Sequence, residues 1–231
     1  MKGVTKLATV RETSRGKPRR SSRAGVDTRG KMLDAAERLF ADNGFDGTSL
    51  RDIAEAADLH LALSTYHFGT KERLFEEVIS RRAAEMERIR LAALSKIDPA
   101  KLPPSEAVRM LITGYALPMI RARYGNSKQW QAHVRLVSQL ISVQRWLPII
   151  KKNYDNCGLA YLQKLHTALP RADHAALLDS FSFMISTMLY VCTYTDRFAG
   201  MKANVLSKRQ QIERATENFI QFVHAGFMSL G

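Results

Sequence analysis

Residues 66–71 read Tyr-His-Phe-Gly-Thr-Lys, a phenol beside an imidazole with an ammonium close behind. Such groups can do acid–base chemistry, but a catalytic centre needs partners at fixed spacing, and the chain supplies none. The six histidines form no HExxH pair, no Ser or Cys sits in a nucleophile motif, and no glycine-rich phosphate loop occurs. Cys157 and Cys192 lack ligand spacing and have apolar neighbours, which reads as two buried thiols in a reducing compartment. No catalysis, metal or cofactor is therefore expected. The same side chains suit another task. A phenol and cations can hold phosphate oxygens, while the small or polar residues just before them, His60, Leu61, Ala62 and Thr65, can approach base edges in a groove. Gly69-Thr70-Lys71 adds a helix N-terminus next to a lysine, a site for one phosphate oxygen.

The elements that must carry these residues follow from apolar spacing. Met32, Leu33, Ala36, Leu39 and Phe40 recur at helical period from Thr28 until Asn43-Gly44 stops them. Thr48-Ser49 opens a second helix, with Asp52 three residues beyond Ser49 as a short capping box. Only Asp58 and Leu59 precede the next helical stretch, so the two helices meet steeply as a helix-turn-helix. A long fourth helix starts at Thr70, and five more are expected over about 105–123, 127–146, 149–168, 173–199 and 208–229. No alternating strand pattern or internal repeat appears. The expected fold is all-α, with a three-helix DNA-binding domain over 28–73 and a larger helical body over 74–231.

Charge is spread unevenly. The formal net charge is +13, which points to a polyanionic partner. Residues 1–27 hold eight cations and two anions, residues 28–73 six and eight, and residues 74–231 twenty-one and twelve. The first segment, rich in Gly, Pro, Ser and Arg, reads as a flexible basic arm. It lacks the apolar face of an interfacial helix, and no apolar leader is present. The charge-free run Ser180–Thr195 is shorter than the roughly 20 residues that cross a bilayer, so it reads as a buried helix. No membrane partner is expected, and the location is taken as cytoplasmic.

The segment "AAERLFADNGFDGTSLRDIAEAADL…STYHFGTKERLF" resembles the DNA-binding domain of the TetR family of bacterial transcriptional regulators over residues 28–75. The stretch "RLVSQLISVQRWLPIIKKNYDNCGLAYLQKLHTALP" is similar to the PsrA-type group, which responds to fatty acids or their CoA esters. Three positions depart from the family pattern. Asp58 stands where Gly is usual, His60 replaces a Ser or Thr cap, and Ser64 replaces an inward Leu, Ile or Val.

The resemblance implies a repressor that binds a palindromic, double-stranded DNA operator as a homodimer through its last two helices. A small, largely apolar effector, such as an acyl-CoA, fatty acid or aromatic acid, would release it. The DNA-binding candidates are Arg23, Arg29, Thr48, Ser49, Arg51, His60, Leu61, Ala62, Thr65, Tyr66, His67 and Lys71, with Lys31 and Arg73 as further phosphate contacts. In the arm, Arg11, Arg15, Lys17, Arg19 and Arg20 would follow the minor groove, adding affinity rather than sequence choice. Dimer-face candidates are Phe181, Met184, Ile185, Met188 and Leu189, with Ile212, Phe219, Ile220, Val223 and Phe227, shared with internal core. Effector-pocket candidates are Tyr115, Met119, Trp130, His133, Val137, Met184, Met188 and Cys192, with Arg121, Arg123 and Arg135 for an acidic head. The runner-up reading is a nonspecific architectural nucleic-acid-binding protein.

Overall fold

Ser21 opens the first helix, α1 (Ser21–Asn43), seven residues ahead of the Thr28 start expected from the apolar stripe. The computed structural model describes the backbone of residues 21–141, 143–193 and 206–231, with side chains from residue 28 onward. Once a helix is nucleated downstream, adding Arg, Ala and Val turns costs little, and only Gly25 opposes the extension. Residues 21–27, read as part of the arm, are thus helical, while residues 1–20 with their five minor-groove candidates lie outside the described residues.

α1 ends at Gly44, whose φ of 74° is a left-handed conformation that favours glycine. Next comes α2 (Leu50–Ala56), closed by the expected capping box. Ser49 Oγ accepts from Asp52 N at 3.1 Å, and Asp52 Oδ2 accepts from Ser49 N at 2.8 Å. Asp58 turns the chain with a φ of 55°, which explains how Asp can stand at the family's Gly position. α3 (Leu61–Phe68) follows, and then α4 (Lys71–Leu94), whose first turn is capped by Thr70 Oγ1 accepting from Arg73 N.

The body comprises α5 (Pro104–Tyr124), α6 (Lys128–Leu140), α7 (Leu147–Ala168), α8 (His174–Cys192) and α9 (Lys208–Met228). All regular structure among the described residues is helical. The helix expected over 127–146 stops at Leu140 and gives way to a 3-10 turn at Gln144–Trp146. That break lets Trp146 pack between Phe45 and Phe75, at ring distances of 4.7 and 4.6 Å. α8 is long and apolar enough to cross a bilayer by length and composition, yet one of its faces is built into the core through Leu177, Phe181, Met184 and Met188.

Two apolar cores share α4. Leu74, Phe75, Val78 and Ile79 join Met32, Phe40, Ile53 and Phe68, but also Leu136, Val137 and Trp146 from the body. Met86 and Leu94 join Leu111, Tyr161, Phe181 and Phe227 in the second. A boundary at residue 73 therefore cuts through packing that continues into α6. Ion pairs reinforce the joint, Arg135 with Asp42 and Arg145 with Asp46.

Candidate functional site

α3 has a locked back and an open front. Phe68 and Ser64 are buried, and Leu63 packs partly against the N-terminal core. His60, Leu61, Ala62, Thr65 and Tyr66 are exposed, Tyr66 by 81%. His67 is half-buried, its ring 5.1 Å from that of Tyr66. Among the described residues, nothing covers the helix on the side the sequence proposed for bases. His60 occupies the N-cap position without capping through its side chain.

Ser64 Oγ is enclosed without a hydrogen-bond partner among the described residues. An unsatisfied buried hydroxyl costs about 1–3 kcal/mol. Ser64→Ala is accordingly expected to raise the unfolding free energy by about 1 kcal/mol in urea titrations. A lower midpoint would mean that this hydroxyl has a partner.

Four flanking residues have structural duties that sequence reasoning assigned to DNA. Thr48 is buried, and its one hydroxyl proton is shared between Gly44 O at 2.8 Å and Leu39 O at 3.2 Å, which closes α1. Lys71 Nζ donates to Phe45 O at 3.0 Å and Thr48 O at 2.9 Å and lies 4.2 Å from the Phe45 ring centroid. It staples the turn after α1 to the start of α4. Arg29 is paired with Glu77 and lies over Phe68. Ser49 is exposed, but its hydroxyl is committed to Asp52. Arg51 and Arg73 are exposed beside α3's approach, and Arg23 lies in the first turns of α1, where only the backbone is described. Nothing local in the sequence distinguishes a lysine that binds carbonyls from one that waits for phosphate.

Behind these elements a cavity of about 410 Å³ opens between α4, α5, α6, α7 and α8. Tyr115, Met119, Val137 and Met188 line it as the sequence proposed. Trp130, His133, Met184 and Cys192 are not in its wall. Met184 and Cys192 are buried in the main core, and burial pushes the Cys192 thiol up to about 12. Arg121, Arg123 and Arg135 are likewise outside it, and Arg135 is held by Asp42. The wall adds Ile150, Leu162, Phe181 and Ile185, together with five polar residues absent from the sequence-derived set, Arg90, Tyr154, Asp155, Ser182 and Ser186. Arg90 sits in an otherwise amphipathic run, so only its neighbours reveal that it points inward.

Tyr154 connects the cavity to α1. Its hydroxyl is 3.0 Å from His133 Nε2, and His133 Nδ1 is 3.5 Å from Glu37 Oε1. Glu37, enclosed completely, also meets Arg81 at 3.2 Å and Arg82 at 3.3 Å, and Asp34 joins Arg81 at 2.8 Å. Burial pushes the Tyr154 phenol up, so it stays protonated and can donate to Nε2. The ring proton then sits on Nδ1, which faces Glu37 Oε1 at 3.5 Å without making a hydrogen bond among the described residues. Burial pushes the His133 imidazole below the usual histidine range, aided by Arg82 and Arg81 and opposed by Glu37.

The folded His133 thus refuses a proton that the unfolded chain accepts below its ordinary value of about 6.5. Its contribution to stability is complete above that value and declines as the pH falls. Between about pH 7.5 and 5.5 the chain is expected to lose up to about 1.4 kcal/mol per pH unit more than a His133→Gln variant. Parallel pH profiles of the urea midpoint would contradict this.

Comparison with known proteins matches two stretches of the chain separately. Residues 32–78 fit the family model described as bacterial regulatory proteins, tetR family, and residues 113–226 fit the tetracyclin repressor-like C-terminal domain. YttP of Bacillus subtilis strain 168, named as a probable HTH-type transcriptional regulator, is 42% identical over 55 residues, 24% of this chain and 27% of that protein. IcaR of Staphylococcus aureus strain Newman, named as an HTH-type negative transcriptional regulator of the biofilm operon icaADBC, is 39% identical over 49 residues, 21% of this chain and 26% of that protein. Similarity thus spans about a quarter of each relative's length. The fold matches a TetR-like transcriptional regulator from Rhodococcus sp. RHA1 with a TM-score of 0.58 at 20% identity, covering 87% of this chain and 96% of that one. The hemolysin II transcriptional regulator HlyIIR matches with a TM-score of 0.53 at 16% identity, covering 87% and 97%.

Proposed function

The chain belongs to the TetR family of bacterial regulatory proteins, and from that premise we propose that it is a DNA-binding transcriptional regulator that represses by occupying a palindromic operator as a homodimer. The observation that carries the reading is the exposed front of α3 on a buried back, the arrangement a helix needs to enter a major groove. His60, Leu61, Ala62 and Thr65 would face the bases, with Tyr66, Arg51 and Arg73 toward phosphates. Thr48 and Lys71 would hold the reading head rigid. One such helix reads too few base pairs, so two copies must act together. The protein would work where the DNA is, in the cytoplasm and away from membranes.

The cavity would hold a small, largely apolar effector, and the Tyr154–His133–Glu37 series would carry its presence to α1. A ligand moves the reading heads only if it binds one spacing better than the other. Contacts that differ on Tyr154 between the two states would provide that difference.

The test is Tyr66→Ala in fluorescence anisotropy on a duplex selected from a random pool. Because Tyr66 is exposed, the melting temperature should hold, while affinity is expected to fall roughly tenfold or more. Unchanged affinity would remove α3 from the interface. Equal affinity for the selected and a scrambled duplex at fixed salt would favour an architectural binder instead.

A further inference from the structure

Arg90 is enclosed to within 1% and lines the cavity. Its Nε donates to Tyr115 O at 2.8 Å, and one Nη approaches the Met188 sulfur, a weak acceptor, at 3.8 Å. The guanidinium carbon lies 3.8 Å from the Tyr115 ring centroid. Among the described residues no carboxylate lies within ion-pair distance of it. Asp155, the acid of the cavity wall, is exposed. A buried cation with five N–H donors and one good acceptor is far from satisfied, since such charges are normally paired or fully hydrogen-bonded. By contrast, the partly exposed Arg81 and Arg82 each meet Glu37.

We propose that Arg90 is the anchor for the carboxylate of an apolar monocarboxylic acid bound in this cavity. The Nη edge would take the carboxylate end-on, since Nε is committed to Tyr115 O, and the planar fork suits two parallel hydrogen bonds. Tyr115, whose hydroxyl makes no hydrogen bond among the described residues, is held beside the guanidinium for a second donation. Ile150, Leu162 and Ile185 would surround the hydrocarbon part. The cavity volume lies within the usual range for small-molecule sites, about 300–1,000 Å³, which suits an acid whose head is enclosed. The head thus sits on α4, the helix that also carries the N-terminal core. This inference rests on the effector reading above and gives it a chemical class.

The experiment titrates the full-length protein with decanoate and with 1-decanol, equal in length but uncharged, by isothermal calorimetry. Decanoate is expected to bind about tenfold or more tightly than the alcohol. In Arg90→Met the two should converge to within about threefold, through loss of the acid's advantage alone. Equal affinities in the unaltered chain, binding of neither probe, or a surviving preference in Arg90→Met would each overturn the assignment. The acid–alcohol comparison on the unaltered chain decides the matter even if the variant does not fold. Anisotropy on selected DNA in the same samples separates the failures. Sequence-selective binding without acid preference sinks the anchor alone, whereas loss of selectivity in the unaltered chain sinks the regulator reading.

Discussion

Glu37→Ala is expected to lower the unfolding free energy by about 2–4 kcal/mol, a large part of the stability of a protein this size. Removing one partner of a buried ion pair leaves the other charge uncompensated, and here two arginines depend on one carboxylate. The full penalty of about 3–5 kcal/mol is reduced because Arg81 keeps Asp34 at 2.8 Å and Arg82 keeps Glu85 at 3.7 Å. Glu37→Gln, which retains volume and hydrogen-bonding capacity, should cost less than Ala. Urea midpoints of the three proteins check the order. A midpoint for Glu37→Ala equal to that of the unaltered chain would mean that the network connecting α1, α4 and α6 contributes nothing. Since that network also links Tyr154 to the reading head, the same variant should weaken any effect of a cavity ligand on DNA binding.

The second large effect concerns assembly. Phe183 and Tyr190 on α8 are 67% and 53% exposed, and Phe222 on α9 is 71% exposed. Three large aromatics on the outward faces of two adjacent helices are unusual for a surface meant for water. Around them stand Ser182 and Ser186 on α8 and Ala225 and Gly226 on α9, and a side chain at Gly226 would meet nothing within 4 Å, so a partner helix could come close. If this is the dimer face, Phe222→Glu buries a charge at its centre and the protein should elute at its monomer mass of 26.0 kDa. Losing the second reading head should then reduce operator affinity by about 100-fold or more. Light scattering coupled to chromatography, with anisotropy on the same fractions, reads both. A doubled mass that persists, or a monomer that binds as tightly as the unaltered chain, would reject the face.

The aromatic face also shows what the sequence conceals. Apolar spacing picked out Phe181, Met184, Met188 and Leu189, and all four turn inward, as do Phe219, Ile220, Val223 and Phe227. Ile185 faces the cavity instead. A helix with apolar groups on both sides gives no local signal of which side its own chain covers. The reading head was far more legible. Its signals are local: the Ser49–Asp52 box, the turn at Asp58 and the small exposed residues before Tyr66 all act within a few positions. The intramolecular partners of Lys71, Thr48 and Arg29, which are Phe45 O, Gly44 O and Glu77, could not be read locally because they become neighbours only through the turns between helices. The cavity was half legible for the same reason. Arg90 meets Tyr115 of α5, Tyr161 of α7 and Met188 of α8, and Glu37 approaches His133 across 96 positions of sequence.

The most direct test of the account is selection of bound duplexes from a random pool, followed by sequencing. Two outward copies of α3, joined at α8 and α9, should enrich a two-fold symmetric site. Its half-site centres should lie near one helical turn apart, about 10–10.5 base pairs, or a multiple of it. Enrichment of a single asymmetric element, or none at all, would contradict the claim that this protein reads DNA with a symmetric pair of helices.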